Sequence, residues 1–204
     1  MKAMLIFVSV VAIGAVASTP AHAQVAVSAY LDNNVAGDVQ SGRLGLGASL
    51  AYYLGGHIGL ELDGELHGHF FRDQDIADRQ PTDIDLNTEA ALASANVVVP
   101  YCWRGAAGTW CPYATAGAGV IYEMFKGVSH GAGAEAFEHG KTDFAINAGI
   151  GVTHALIRWV GFRVDARHLH GFVDESSAGE TYPRDYGYWR LSVGVIFGGP
   201  QLSP

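Results

Sequence analysis

Between Ile58 and Phe70 hydrocarbon and ionisable side chains take turns along the chain: Ile58, Leu60, Leu62, Leu66 and Phe70 at one parity, Glu61, Asp63, Glu65, His67 and His69 at the other. Successive side chains of a β-strand point to opposite faces, whereas a helix would spread this pattern around its whole circumference. The stretch is therefore read as a strand dividing an apolar environment from a charged one. The division recurs where Val160, Phe162, Val164 and Ala166 oppose Arg163, Asp165 and Arg167. It recurs again where Trp189, Leu191, Val193, Val195 and Phe197 oppose Arg190, Ser192 and Gly194.

Strand-length runs of this kind continue through the chain, separated alternately by short and by long polar connections, the rhythm of an up-and-down meander. They predict eight strands, at Val25–Leu31, Arg43–Leu54, Ile58–Arg72, Ile84–Tyr101, Pro112–Phe125, Thr142–Ala155, Trp159–Gly171 and Tyr186–Phe197. In the fifth and sixth of these one face is small instead of charged, with Thr115, Gly117 and Gly119, then Ala145, Asn147, Gly149 and Gly151. Small side chains on one face suit strands that curve around a narrow interior. In the fourth, Ala91, Ala93, Ala95, Val97 and Val99 are assigned outward, with Ser94 and Asn96 inside.

Ahead of these strands Lys2 precedes an uncharged apolar run from Met4 to Ala17, and Ala21-His22-Ala23 supplies small residues at the right offsets for cleavage. The run is shorter than the ~20 apolar residues of a spanning helix, so residues 1–23 are expected to be a cleavable signal peptide. Residues 24–204 then form one domain, since no charge block or Ser/Pro-rich stretch marks a linker. The formal net charge of −8 loses only the positive charge of Lys2 on cleavage and moves to about −9, which makes nucleic acid an unsuitable partner. No later segment is long and apolar enough for a membrane helix, so any entry into a membrane must be made by strands. The two cysteines, Cys102 and Cys111, flank a Gly-containing segment and are expected to form a disulfide in an oxidising compartment.

Alternation alone does not say which face is the interior, because a soluble lipocalin-like carrier has the same period with apolar residues inside. A membrane barrel needs an apolar outer band bounded by aromatic residues. Tyr101, Trp103, Trp110, Trp159 and Phe197 gather at one set of strand ends, with Phe70, Tyr122, Phe125, Tyr186 and Tyr188 at the other. Gly55-Gly56 and Leu156–Arg158 make tight turns, while the connections after Leu31, Arg72, Phe125 and Gly171 are long and polar. Short turns on one side and long loops on the other are the outer-membrane habit, from which the Cys102–Cys111 turn departs by its length.

These residues resemble the outer-membrane protein β-barrel family, the small porin-like, OmpA-type barrels of Gram-negative surfaces. Pro112–Val120 is similar to the family's fifth-strand stretch, Asn147–Val152 to its sixth and Phe162–His168 to its seventh. The chain departs from the family in continuing past Phe197 through Gly198–Pro204. The resemblance implies an all-β, eight-stranded antiparallel up-and-down transmembrane barrel in the cell outer membrane. It implies lipid and lipopolysaccharide as surroundings, the barrel-assembly machinery as a partner in biogenesis, and a monomer.

With the apolar face outward, Glu61, Asp63, Glu65, Glu123, Asp143 and Asp165 and the bases Arg163, Arg167 and Arg190 fall on the inner face. Charges in a narrow lumen must be paired, so these residues are expected to form a lumen-filling ion network. The alternative use of the same residues is a narrow cation-favouring conduit, which an eight-stranded barrel leaves little room for. His67 with His69, and His168 with His170, stand two apart, and His130, Glu135, Glu138 and His139 share a loop, but no closed ligand set results and no metal or other cofactor is expected. A lipid A-modifying enzyme would need a Ser beside a His and an orienting acid. His168 and His170 lack such a serine and Ser129-His130 lacks a placed acid, so no catalytic residue is assigned.

Overall fold

The computed structural model describes residues 23–54, 57–70, 84–105, 108–129, 136–157, 159–173 and 185–199. Residues 1–22 of the expected leader, the Gly55-Gly56 turn, Arg158, His130, Glu135 and the tail beyond Gly199 lie outside the described residues, as do the side chains of Phe125, Ser129, Glu138 and His139. The strands are β1 (Ala23–Gly37), β2 (Leu44–Leu54), β3 (Ile58–Gly68), β4 (Ile84–Pro100), β5 (Trp103–Gly105), β6 (Gly108–Ser129), β7 (Ala136–Ile157), β8 (Val160–Phe172) and β9 (Tyr186–Gly198). Each long strand pairs antiparallel with its sequence neighbours, β1 pairs with β9, and β4 pairs with β6, which closes an eight-stranded barrel. Where the ladders close the ring, each long strand is paired on both sides, so its backbone N–H and C=O groups are satisfied there without water.

The expected apolar face points outward and the ionisable face inward. Leu60 and Leu62 are each 58% exposed while Glu61 between them is 1% exposed. The same inversion holds at Val164 against Arg163 and Asp165, and at Leu191 and Val193 against Arg190 and Ser192. A soluble barrel has the reverse arrangement, so the carrier geometry is not the one observed. The assignment of β4 also holds, with Val97 and Val99 exposed and Ser94 and Asn96 buried.

Several details depart from the sequence expectation. The short β5 is a ninth strand: Trp103 pairs with Trp110 and Gly105 with Gly108, so the arms of the long connection at that end pair as a hairpin. The Cys102–Cys111 disulfide ties its base. Replacing both cysteines by serine is expected to lower stability by about 2–3 kcal/mol, the loop-closure entropy of a crosslink this short, read as an earlier urea midpoint with unchanged slope.

The third strand stops at Gly68 instead of running to Arg72, because His69 adopts a left-handed backbone with φ 55°. That turn reverses the parity, so Phe70, expected in the outer aromatic band, is buried inside the barrel. Tyr186 and Tyr188 are corrected likewise: they share the parity of Arg190 and are buried, while Tyr122 alone of the described members of that expected band faces outward. Phe144, Phe172 and Trp189 join it there. The first strand runs six residues past Leu31 to Gly37, with a bulge between Asn34 and Ala36, which places Asp32 and Asn34 on the inner face.

The β6 and β7 strands are 22 residues each, longer than expected. Their ladder continues to Val128↔Ala136, whereas the β7–β8 ladder ends at Phe144↔Phe172. The β4, β6 and β7 strands therefore continue beyond the β8 edge as a three-stranded wall at the end of the long connections.

Candidate functional site

The inner face of the barrel is filled in three layers. At the short-turn end Ala26, Ala51, Tyr53, Val98, Tyr113 and Ile196 pack as one apolar cluster. At the long-loop end Val39, Phe70, Ala90, Leu92, Ile121, Ala145, Leu169, Tyr186 and Tyr188 form another, with Phe70 set edge-on to both tyrosines. Between them lies a layer of ions.

Glu61 is the hub of that layer. Arg163 donates from Nη1 to Glu61 Oε2 at 2.5 Å and from Nη2 to Oε1 at 3.3 Å, and Arg167 Nη2 donates to Oε1 at 2.6 Å. Ser49 Oγ lies 3.3 Å from Oε2 and receives Arg163 Nη1 at 3.1 Å. Asp165 is the second hub, accepting from Arg163 Nη2 at 3.2 Å, Arg167 Nε at 3.0 Å, Arg190 Nη2 at 3.2 Å, the Tyr113 hydroxyl at 2.8 Å and Ser192 Oγ at 3.1 Å. Asp63 accepts from the Tyr30 hydroxyl at 2.5 Å and meets both Arg167 and Arg190 at 3.4 Å. Arg190 Nη1 also binds Glu65 Oε1.

Such a layer is tolerable only because each charge has opposite charges and hydrogen-bond partners in contact, since an uncompensated ion in a dry interior is expensive. The backbone makes room for it. On the inner face of β7, Gly149 stands opposite Arg167, and a Cβ there would lie 2.6 Å from Arg167 Cγ. The small residues read from the sequence thus leave space for neighbouring side chains: Arg167 at Gly149, the Tyr113 ring at Gly151 and Asn96 at Gly117.

All nine residues proposed from the sequence for the lumen are buried, but they do not form one network. Glu61, Asp63, Glu65, Arg163, Asp165, Arg167 and Arg190 are brought together. Glu123 instead accepts from the Tyr186 hydroxyl at 2.5 Å, and Asp143 pairs with Lys141 Nζ at 3.0 Å, both nearer the long-loop end. Asp32, Lys141, Tyr30 and Tyr113 join the buried polar interior as well. Tyr30 and Asp32 continue the inner parity of Ser28 and Asn34, a signal masked by ending the first strand at Leu31.

The first histidine pair separates and the second stays together. His67 is buried and its Nε2 lies 3.1 Å from Glu65 Oε2 and 3.2 Å from Asp32 Oδ1, while His69 is exposed beyond the strand end. His168 and His170 are half-buried on the outward face, packed edge-on against Trp189 and Phe172 respectively. His170 also lies 4.0 Å from Asp185.

The outer surface has the matching design for lipid. Tyr101, Trp103, Trp159 and Phe197 are exposed at the short-turn end, with Trp159 stacked on Phe197. Between this belt and the Tyr122–Phe144–Phe172–Trp189 group lies the band of exposed Leu, Ile and Val, which is the pattern that lipid requires of a barrel.

Comparison with solved structures gives the same architecture. A major outer membrane protein from Thermus thermophilus aligns with a TM-score of 0.54 at 14% identity, covering 85% of this chain and 99% of that one. Neisserial surface protein A aligns with a TM-score of 0.51 at 14% identity, covering 86% and 95%. At this identity the likeness concerns the fold. Against curated protein sequences the chain has no match. The sequence model of the outer membrane protein beta-barrel domain family matches residues 3–197, nearly the whole chain. The chain belongs to that family, and its place is the cell outer membrane.

Proposed function

We propose that this protein is a non-enzymatic, non-conducting scaffold of the outer membrane, a monomer bathed in outer-membrane lipid and lipopolysaccharide, whose contacts are made at the long-loop end. The observation that carries this reading is the filled interior: Arg167 and Arg190 of the ion layer are among the largest fully buried side chains, and an apolar cluster lies across the barrel on each side of the layer. Eight strands enclose a space that side chains can fill, and a filled space offers ions no hydrated path. The same enclosure supports the absence of catalysis, since the carboxylates of the ion layer are committed to guanidinium groups and reach no substrate. The wall formed by β4, β6 and β7 supplies an edge for surface contact. Residues 1–23 act as the export signal on this reading, and the barrel-assembly machinery inserts the remainder.

Planar-bilayer recording on the purified, heat-modifiable barrel tests the proposal. No conductance steps are expected in either cation-rich or acidic buffer. Reproducible unitary steps from the folded barrel would replace the scaffold by the narrow cation conduit.

A further inference from the structure

Asp32, Gly45 and His67 form a row across three neighbouring strands, with Asp32 paired to Gly45 and Gly45 to His67 in register. Because Gly45 has no side chain, the carboxylate and the imidazole meet over it; a Cβ at Gly45 would collide with Asp32 Oδ1 and lie 2.5 Å from His67 Nδ1. Glu65, two residues before His67 on the same face, brings its Oε2 to the imidazole Nε2 that faces Asp32. One ligand atom from each of the three residues lies within 4.8 Å of the others, and all three side chains are buried.

We infer that Asp32, Glu65 and His67 form a binding site for one divalent transition-metal ion of the zinc class, held inside the upper barrel. The first support is an orphaned carboxylate. Both Asp32 oxygens are buried without a hydrogen-bond donor, although Asp32 is only 1% exposed. His67 Nε2 can aim one proton, and its contact with Glu65 is the one with hydrogen-bond geometry. A buried anion in that position calls for a cation. Two residues along the same inner face, Asn34 Oδ1 is also buried without a donor.

The second support is metric. Two ligands on a tetrahedral zinc ion lie about 3.3 Å apart, given bonds near 2.0–2.1 Å. From His67 Nε2 the separations to Glu65 and Asp32 are 3.1 and 3.2 Å, and the two carboxylates lie within 4.8 Å of each other. The third is anchoring: Arg190 holds the other oxygen of Glu65, as outer partners of metal-binding carboxylates do. The fourth is charge, since the buried side chains include seven carboxylates, Asp32 among them, against four Lys and Arg groups. One nitrogen and two carboxylate oxygens suit a borderline divalent ion better than a soft monovalent one. On binding, the neutral imidazole of His67 takes the other tautomer, its ring proton moving from Nε2 to Nδ1, and Nε2 presents its lone pair.

The site lies under Phe70, whose ring centroid is 5.8 Å from that of His67, so loading is done by refolding the barrel from denaturant with the metal present. Cobalt(II) is the probe. About one tightly held cobalt per folded chain is expected, with the visible bands of a four-coordinate N/O site and displacement by zinc. Asp32→Asn and His67→Gln, both near-isosteric, are expected to weaken binding by about tenfold or more, and the rim variant His168→Gln to leave it unchanged. A folded wild-type barrel that takes up no cobalt overturns the inference, as does binding that survives both lumen variants or is lost with His168→Gln. Should either lumen variant fail to fold, the wild type still decides: cobalt must shift the imidazole resonances of His67, and their staying in place sinks the proposal.

Discussion

Replacing Glu61 by leucine is expected to lower the stability of the folded barrel by about 3–5 kcal/mol, the loss typical of breaking a buried ion network from one side. Glu61 receives hydrogen bonds from both Arg163 and Arg167, so its removal leaves two guanidinium groups facing each other with Asp165 as their main remaining counter-charge. The measurement is reversible urea unfolding in detergent micelles or thin bilayers, followed by tryptophan fluorescence and by the heat-modified gel shift. The companion quadruple variant Glu61→Leu, Arg163→Leu, Asp165→Asn, Arg167→Met removes two charges of each sign. It is expected to recover much of the loss, because a matched apolar replacement escapes the desolvation penalty that a lone charge suffers. If Glu61→Leu alone unfolds at the wild-type midpoint, the ion layer contributes specificity or nothing, and its role as a shape-fixing core is wrong.

Arginine introduced at Leu62 is expected to destabilise the membrane-inserted barrel by about 2–4 kcal/mol, whereas arginine at Leu44 costs about 0–1 kcal/mol. Both side chains face outward, Leu62 at 58% and Leu44 at 69% exposure, so packing inside the barrel does not distinguish them. Depth does. Leu62 sits midway along β3, paired with Leu50 and Ala95, while Leu44 begins β2 at the long-loop end. A charge at mid-depth meets hydrocarbon, and one near the strand end reaches the headgroups by extending along its own stem. Equal effects at the two positions, measured by unfolding from lipid bilayers, would remove the depth argument and with it the outward apolar band as a lipid-facing surface.

The residues that carried most of the fold in advance were those with strict period two. From Ile58 to Leu66 every inward residue is polar, small or charged and every outward one apolar or glycine, so a single parity error would have turned the whole strand over. That is why the inner placement of Glu61, Asp63, Glu65, Arg163, Asp165, Arg167 and Arg190 was legible. Where one residue leaves extended geometry, parity stops informing. His69 with its positive φ sent Phe70 inward, and no alternation rule anticipates a left-handed histidine. The hairpin at Trp103–Trp110 was hidden for another reason: its strand is three residues long, too short to display a period.

The ion layer shows the same division. Which side chains enter the lumen follows from parity, but which of them touch follows from strand register and barrel stagger, properties of residues far apart in sequence. Glu61 meets Arg163 from 102 positions away, while Glu123 and Asp143 end nearer the long-loop end beside Tyr186 and Lys141. Asp32 came into contact with His67 only because β1 continues past Leu31 and Gly45 leaves the intervening row open.

By itself, then, the chain determined its strands, the face each turns to lipid, and the charge it must enclose, because these depend on nearest neighbours along a pleated backbone. Closure alone decided the partners of each enclosed ion, the apolar layers above and below them, and the Asp32–Glu65–His67 cluster. A barrel sets the height of every residue through the register of all its strands at once, and no local stretch of sequence contains that sum.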